Sequence, residues 1–164
     1  MQKTTEPDFE AILRTLAAHR VDLIVVGGVA AVLQGVAILT LDLDIVYSCE
    51  PANLERLEQA LDELHARYRH KPMISPERSH LASAGHHLLL TKHGPLDVLG
   101  TIGANRDYVA LLPVAEEMDL QGIQVRVLRL PELIASKQEA GREKDHAILS
   151  VLRRTLEERE KRKK

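Results

Sequence analysis

A short apolar run that ends in two glycines is the feature that most limits how this chain can fold. Residues 21–26 are almost wholly apolar, which is typical of a strand buried on both faces. Gly27-Gly28 ends the run, and residues 29–33 are predicted to form a short helix closed by Gly35. A strand that leads through two glycines into a helix exposes free backbone N–H groups, which a phosphate can approach closely.

The next segment, residues 40–47, alternates with the two-residue period of a strand. Its apolar side chains are predicted on one face: Leu41, Leu43 and Ile45. Asp42 and Asp44 would then project together from the other face. Two neighbouring carboxylates repel each other, and a divalent cation removes that repulsion, so the pair is a candidate Mg²⁺ site. Either motif alone has a plain structural explanation, a turn for the glycines and a solvated strand face for the aspartates.

The rest of the chain mixes helices and strands within one predicted domain. Apolar stripes at three- and four-residue spacing predict helices at 7–20, 51–68, 131–140 and 143–160. Strands are expected at 87–91 and 96–99 around a turn at 92–95, and as a second pair within 119–128 that turns at Gln121-Gly122. Residues 69–85 are expected to be irregular. This order predicts an α+β (mixed α/β) domain over 1–164, with its core at 8–153 and a basic tail at 157–164.

Composition excludes several classes of protein. The 164 residues carry 22 Lys plus Arg against 24 Asp plus Glu, so the net charge of -2 gives no overall attraction to nucleic acid. Only 2% of residues are aromatic, which argues against a protein that stacks RNA bases. The single cysteine, Cys49, excludes an internal disulfide and a Cys-rich zinc site. No apolar run reaches the ~18 residues of a membrane span, so we expect a cytoplasmic protein.

Gly27-Gly28 followed by Asp42-x-Asp44 resembles the signature of the DNA polymerase β-like nucleotidyltransferase superfamily. The similarity extends through VVGGVAAVLQGVAILTLDLDIV, residues 25–46, and more weakly over 8–153. It is strongest to the minimal bacterial members, which include antitoxin-type and AbiEii-like toxin-type nucleotidyltransferases. In that superfamily a third carboxylate lies on a neighbouring strand, and Asp97 within Pro95-Leu96-Asp97-Val98-Leu99 fits that place.

The resemblance implies a reaction. A nucleoside monophosphate would pass from a nucleoside triphosphate such as ATP to an acceptor hydroxyl, with release of pyrophosphate. Asp42, Asp44 and Asp97 would be the catalytic residues and would hold two Mg²⁺ ions, and Asp97 would help to deprotonate the acceptor. The expected contacts to the nucleotide come from five residues: Gly27, Gly28, Thr40, Lys137 and Arg142.

Some of these residues have ordinary alternatives. Lys137 either neutralises the triphosphate or forms the solvated side of a helix. Arg142 and Asp145 either belong to an Arg-x-x-Asp segment found in the small relatives or form a surface pair. Thr40 either starts a strand or contacts a phosphate. Asp97 either completes the metal site or makes a backbone hydrogen bond at a strand end.

The function also has alternatives. Many relatives carry Arg where this chain has Ile38, which favours a catalytically degenerate domain that binds a nucleotide or a partner protein. A pure interaction module of a toxin–antitoxin pair is a third hypothesis. The acceptor is left open between a protein side chain, a tRNA end and a small molecule, and the sequence does not determine the oligomeric state.

Overall fold

The computed structural model describes residues 6–83 and 85–163. Its helices are α1 (Phe9–Ala18), α2 (Gly27–Leu33), α3 (Pro51–Glu63), α4 (Arg78–Leu81), α5 (Tyr108–Leu111), α6 (Leu130–Ala140) and α7 (Asp145–Arg162), with a 3-10 turn at Leu112–Val114. Its strands are β1 (Leu23–Val26), β2 (Leu43–Tyr47), β3 (Arg67–Tyr68), β4 (His86–Thr91), β5 (Gly94–Leu99), β6 (Thr101–Ile102), β7 (Arg106–Asp107), β8 (Ala115–Leu120) and β9 (Ile123–Leu128).

Seven of these strands form one mixed sheet in the order β3-β4-β5-β2-β1-β9-β8. The β2–β5 and β1–β9 pairs are parallel, and the other neighbours are antiparallel. The predicted mixed α/β class is therefore confirmed. Strands β6 and β7 form a separate short hairpin that the sequence did not predict.

The centre of the sheet is the strand that precedes the two glycines. Every residue of β1 is buried, which requires cover on both faces of the sheet. Strand β1 pairs antiparallel with β2, the strand that carries Asp44. Helix α2 starts directly at Gly27, so no loop separates β1 from the helix.

Aliphatic side chains fill the core, as the scarcity of aromatic residues predicts. The predicted stripe of helix α3 is buried: Leu54, Leu57, Leu61 and Leu64. Asn53 of the same helix is also fully buried, and its Nδ2 donates to the backbone carbonyls of Asp22 and Ser48. These hydrogen bonds fix α3 against the start of β1 and the end of β2.

The prediction of a helix at 51–68 is wrong at the C-terminal end. The helix ends at Glu63, and His65 has a left-handed backbone with φ of 53°. Residues Arg67–Tyr68 then form β3, which pairs with β4 at the edge of the sheet. Leu64 stays buried on both interpretations, so its apolar character did not distinguish a further helical turn from a chain reversal.

The prediction of a strand at 40–47 is wrong at the N-terminal end. The strand begins at Leu43, and Asp42 lies in a bend before it. The reason is the length of β1: Val26 pairs with Asp44, and the chain turns into α2 immediately afterwards, so Asp42 has no strand partner on that side. Leu41 lies outside the sheet and is 65% exposed, against the prediction that it shares the buried face.

The other predicted elements are confirmed with small shifts. The β4–β5 and β8–β9 hairpins form, and Gln121-Gly122 is the turn of the second hairpin. Helices α6 and α7 are separated by Gly141 in the left-handed conformation, although α7 starts at Asp145 instead of residue 143. Among the described residues, every helix is too short or too polar to cross a bilayer.

Candidate active site

Two of the predicted catalytic carboxylates lie side by side at the centre of the sheet. Asp44 on β2 is in register with Asp97 on β5, and the two strands are parallel neighbours. Residues in register on neighbouring strands project from the same face, so both carboxyl groups point to one side of the sheet. The flanking residues are buried aliphatics, Leu43, Ile45, Leu96 and Val98, which hold both strands rigidly in the core.

Asp44 has an unusual electrostatic environment. Burial raises its pKa to about 7, and the charge of Asp97, a hydrogen bond shared with Asp97 and the charge of Asp42 act in the same direction. The charge of Lys137 partly opposes them. One oxygen, Asp44 Oδ1, is buried and has no hydrogen-bond partner among the described residues. An unpartnered carboxylate oxygen beside a second carboxylate is a suitable ligand for a hard cation such as Mg²⁺.

Asp42 lies apart from this pair. It is half-buried in the bend before β2 and affects Asp44 through its charge. Within residues 6–83 and 85–163, no three His, Cys, Asp or Glu side chains are close enough to hold a metal ion together. The structure thus brings Asp44 and Asp97 together directly and leaves Asp42 at the edge of the group.

Arg69, which sequence analysis did not consider, contacts the third carboxylate. Its Nη2 donates to Asp97 Oδ1 at 2.7 Å and to the backbone carbonyl of Leu89 at 3.1 Å. The second bond fixes the guanidinium to β4, so Arg69 holds Asp97 in one orientation. Arg69 lies in the segment predicted to be irregular, and nothing in its local pattern relates it to Asp97.

The two glycines have a packing role that the sequence did not reveal. Gly27 has a φ of +66°, and a Cβ there would collide with Asp44 Oδ2. At Gly28 a Cβ would lie 2.5 Å from Thr40 Oγ1 and 2.8 Å from its Cβ. Thr40 Oγ1 in turn donates to the backbone carbonyl of Asp42 at 3.1 Å. The glycines therefore let the segment from Thr40 to Asp44 pack directly on the start of α2.

Two clefts meet at this point. The first, which we name the Thr40 cleft, has a volume of about 310 Å³. Its polar end contains Gly27, Gly28, Thr40, Asp42 and Asp44. Its other walls are mainly aliphatic: Ala31, Ile38, Leu39, Leu41, Leu133, Ile148 and Leu152.

The second, the His86 cleft, has a volume of about 350 Å³ and lies on the β4–β5 side. Its walls include His86, Thr101, Asn105 and Arg142. Four residues line both clefts: Gly27, Asp44, Ser136 and Lys137. Asp44 therefore lies where two different ligands could meet.

Lys137 and Arg142 are held by a buried carboxylate. Lys137 Nζ donates to Asp145 Oδ1 at 3.1 Å, and Arg142 Nε donates to Asp145 Oδ2 at 3.0 Å. The Asp145 side chain is only 2% exposed. Burial acts to raise the pKa of Asp145, but the hydrogen bonds and charges of Lys137 and Arg142 outweigh it and lower that pKa. The pair is therefore a fixed structural feature, unlike the surface pair that sequence analysis left open.

Sequence analysis missed three residues at this site: Arg69, Ser136 and His86. Ser136 precedes Lys137 on α6 and lines both clefts. The two adjacent histidines do point to opposite sides, as expected for a strand: His86 is exposed, and His87 is buried beside the Tyr68 hydroxyl at 2.9 Å. The position of His86 beside Asp44 depends on the pairing of β4 with β5, which no local pattern specifies.

Comparison with solved structures identifies the fold as that of nucleotidyltransferases. A provisionally assigned nucleotidyltransferase from Thermotoga maritima is 18% identical, with a TM-score of 0.56, and the match covers 92% of this chain and 93% of that one. The solution structure of the antibiotic-resistance factor ANT(2'')-Ia is 17% identical with a TM-score of 0.61, covering 90% of this chain and 82% of the other.

A crystal structure of ANT(2'')-Ia in complex with adenylyl-2''-tobramycin is 14% identical with a TM-score of 0.59, covering 90% of this chain and 87% of that one. No protein-family model matches the sequence, and no curated protein matches it. These similarities extend over most of each chain and show a shared fold.

Proposed function

We propose that this protein is a Mg²⁺-dependent nucleotidyltransferase that moves a nucleoside monophosphate from a nucleoside triphosphate to an acceptor hydroxyl. The observation that carries the proposal is the pair of in-register carboxylates, Asp44 and Asp97, of which Asp44 lines both clefts beside Gly27. The nucleotidyltransferase fold of the neighbours supports it, and one of those neighbours was crystallised with an adenylylated product.

In the proposed reaction the acceptor oxygen forms a bond to the α-phosphorus, and the bond between that phosphorus and the bridging oxygen to the β-phosphate breaks. Pyrophosphate leaves with the electron pair, and the acceptor proton passes to Asp97. Asp44 and Asp97, with Asp42 at the edge of the group, would hold two Mg²⁺ ions, which would supply charge neutralisation for the attacking and leaving oxygens. Arg69 keeps Asp97 oriented toward the acceptor. Reactions of this kind depend mostly on positioning and charge, which rigid central strands provide well.

We assign the nucleotide to the Thr40 cleft. Gly28 and Thr40 line only this cleft of the two, and the N-terminus of α2 opens into it. The backbone N–H groups there suit the β- and γ-phosphates. The aliphatic walls suit the flat face of a base. Lys137, within electrostatic reach of Asp44, supplies a positive charge beside the phosphates.

The acceptor then takes the His86 cleft, which Asp44 and the end of β5 line. The candidate acceptors are a protein side chain, a tRNA end and a small molecule, and the resemblance to the small bacterial members suggests a role in a toxin–antitoxin pair. Coexpression with a partner encoded beside this protein would test that role. In the ANT(2'')-Ia complex the adenylylated compound is tobramycin.

Calorimetry with ATP, GTP, CTP and UTP in the presence of Mg²⁺ tests the proposal directly. We expect binding of at least one triphosphate, and pyrophosphate release when cell extract supplies an acceptor. Asp44→Asn should abolish pyrophosphate release because it removes a ligand charge. Asp62→Asn is the matched control, since Asp62 is exposed on α3 and lines neither cleft.

The competing hypothesis is a degenerate domain, which Ile38 in the Thr40 cleft favours because it provides no charge for the phosphates. Triphosphate binding without pyrophosphate release in any extract would favour that hypothesis. Binding of none of the four triphosphates by folded protein would exclude both the enzyme and the nucleotide-binding domain.

A further inference from the structure

A third cleft opens between α6 and α7, next to the candidate active site. It has a volume of about 270 Å³, and we name it the Arg153 cleft. Four of its lining residues carry basic side chains: Lys137, Arg142, His146 and Arg153. None of its lining residues is acidic. Such a wall attracts anions and repels cations.

The basic groups are arranged with free donors. Asp145 uses one N–H of Lys137 and one of Arg142, and it is buried behind them. An ammonium group has three donors and a guanidinium five, so most of their N–H groups remain for a ligand. Arg153 is exposed, and within the described residues no acidic side chain pairs with it. The buried carboxylate of Asp145 thus holds Lys137 and Arg142 in place and leaves their outward N–H groups uncovered.

The Arg153 cleft is continuous with the acceptor side of the site. Arg142 lines the Arg153 and His86 clefts but not the Thr40 cleft. Lys137 lines all three. A molecule whose hydroxyl lies beside Asp44 in the His86 cleft would therefore extend past Arg142 toward Arg153. The nucleotide, bound at Gly28 and Thr40, would lie on the other side of Lys137.

We propose that the Arg153 cleft binds a phosphate group of the acceptor, so that the acceptor is an anionic, phosphate-bearing molecule. The identification of this ligand as the acceptor rests on the proposed function, whereas phosphate binding in the cleft can be measured without catalysis. Guanidinium groups suit phosphate because their donors match two oxygens at once. A polycationic acceptor such as tobramycin meets no carboxylate in this cleft. A polynucleotide end and a phosphorylated sugar share the required chemistry.

The test compares two arginines on one helix. Arg153→Ala removes a charge from the cleft, and Arg154→Ala removes the same charge from an exposed neighbour that lines none of the three clefts. The probes are a 5'-fluorescein-labelled single-stranded RNA nonamer with a free 3'-hydroxyl, ribose 5-phosphate and tobramycin. Binding is measured in EDTA by fluorescence polarisation for the RNA and by calorimetry for the small molecules.

We expect the wild-type protein to bind RNA or ribose 5-phosphate, and Arg153→Ala to weaken that binding at least fivefold. Arg154→Ala should change it less than twofold. Two results together identify a polynucleotide end. RNA binds more tightly than ribose 5-phosphate, and the slope of log affinity against log salt concentration is smaller by about 0.7 in Arg153→Ala. Equal binding of the two probes identifies a small phosphorylated acceptor.

Three results would overturn the inference: no binding of either phosphate probe, equal effects of the two substitutions, or binding of tobramycin alone. Calorimetry with Mg²⁺ and ATP on the same samples separates this inference from the proposed function. Arg153→Ala should leave ATP affinity unchanged, because Arg153 does not line the Thr40 cleft. If the wild-type protein binds none of the four triphosphates, the proposed function is refuted, and the phosphate measurement still decides whether the cleft binds phosphate.

Discussion

At the scale of single residues, the site is defined by carboxylates kept close together at a cost in free energy. Asp44 is the centre of this arrangement because it is half-buried, faces Asp97 and has one buried, unpartnered oxygen among the described residues. Two carboxylates on neighbouring strands repel each other, which favours protonation of one of them unless a cation is bound. Residues that lower the stability of the fold in this way are often functional, because a protein retains such residues where its activity requires them.

Asp44→Asn should therefore stabilise the metal-free protein. The pKa of Asp44 is about 7 in the folded state against 3.8 when unperturbed, so the folded state binds more protons between these values. Stability due to this group is greatest below about pH 4 and falls as the pH rises toward 7. Thermal melting in EDTA should show that Asp44→Asn raises the free energy of unfolding by about 1–3 kcal/mol at pH 8. The gain should shrink at pH 5, and a constant loss at both pH values would contradict this account.

Arg69→Ala should affect turnover more than nucleotide affinity. Without the 2.7 Å bond to Arg69, Asp97 is free to rotate away from the acceptor. We expect the misplaced Asp97 carboxylate to lower kcat by about 10–100-fold. KM for ATP should change little because Arg69 lines neither cleft.

Steady-state kinetics would measure both values. Arg69→Lys should restore only part of the loss, since Nη2 donates both bonds and the shorter lysine side chain places its nitrogen one bond nearer the backbone. Arg78→Ala, which removes the ion pair between Arg78 of α4 and Glu58 of α3, is the control and should leave kcat unchanged.

At the scale of secondary-structure elements, the junction of β1 and α2 positions the site. Because β1 passes into α2 without a loop, Gly27 and Gly28 lie against the segment that leads into β2. The close approach is possible only where no Cβ intervenes. One tight junction therefore fixes the start of α2 and the position of Asp44 together.

Gly28→Ala should displace Thr40 and weaken triphosphate binding. The new Cβ would lie 2.5 Å from Thr40 Oγ1, so the loop before β2 has to move. We expect a loss of about 1–3 kcal/mol in the free energy of unfolding, typical of overpacking. The double variant Gly28→Ala with Thr40→Gly should recover part of that loss, and strict additivity of the two effects in denaturant unfolding would refute the contact.

The junction of α6 and α7 has a different requirement. Gly141 has a φ of +62°, and its N–H donates to the carbonyl of Lys137 at the end of α6. Gly141→Ala should cost about 1–2 kcal/mol because the left-handed conformation is unfavourable for a residue with a Cβ. Gly141→Asn is the matched control and should cost less, since asparagine tolerates this conformation. Urea unfolding of both variants would show the difference, and equal losses would contradict it.

At the scale of the whole molecule, the three clefts converge on Lys137 and give the protein separate places for two ligands. Mg²⁺ and ATP together should stabilise the fold by mass action. At a hundred times Kd the gain is about 2.7 kcal/mol, or about 5–10 °C in Tm for a chain of this size. Asp44→Asn should reduce that shift in differential scanning fluorimetry, and an undiminished shift would show that the nucleotide binds elsewhere.

The sequence by itself determined the kind of fold and the central motif. The apolar run before Gly27, the alternation up to Tyr47 and the stripe of α3 are local patterns, and hydrophobic periodicity is enough to predict buried strands and an amphipathic helix. Asp44 was found from the alternation of its strand, and Asp97 from the resemblance of residues 95–99 to the segment that carries the superfamily's third carboxylate.

Only the tertiary structure decided how these strands are placed. The parallel pairing of β2 with β5 puts Asp44 beside Asp97, and the order of the sheet brings His86 and Arg69 to the same place. It also decided that Asp42 lies before the strand, since β1 ends at Val26. Strand pairing joins residues far apart in the chain through backbone hydrogen bonds that any residue but proline can make. The sequence therefore specifies which strands exist more strongly than which of them become neighbours.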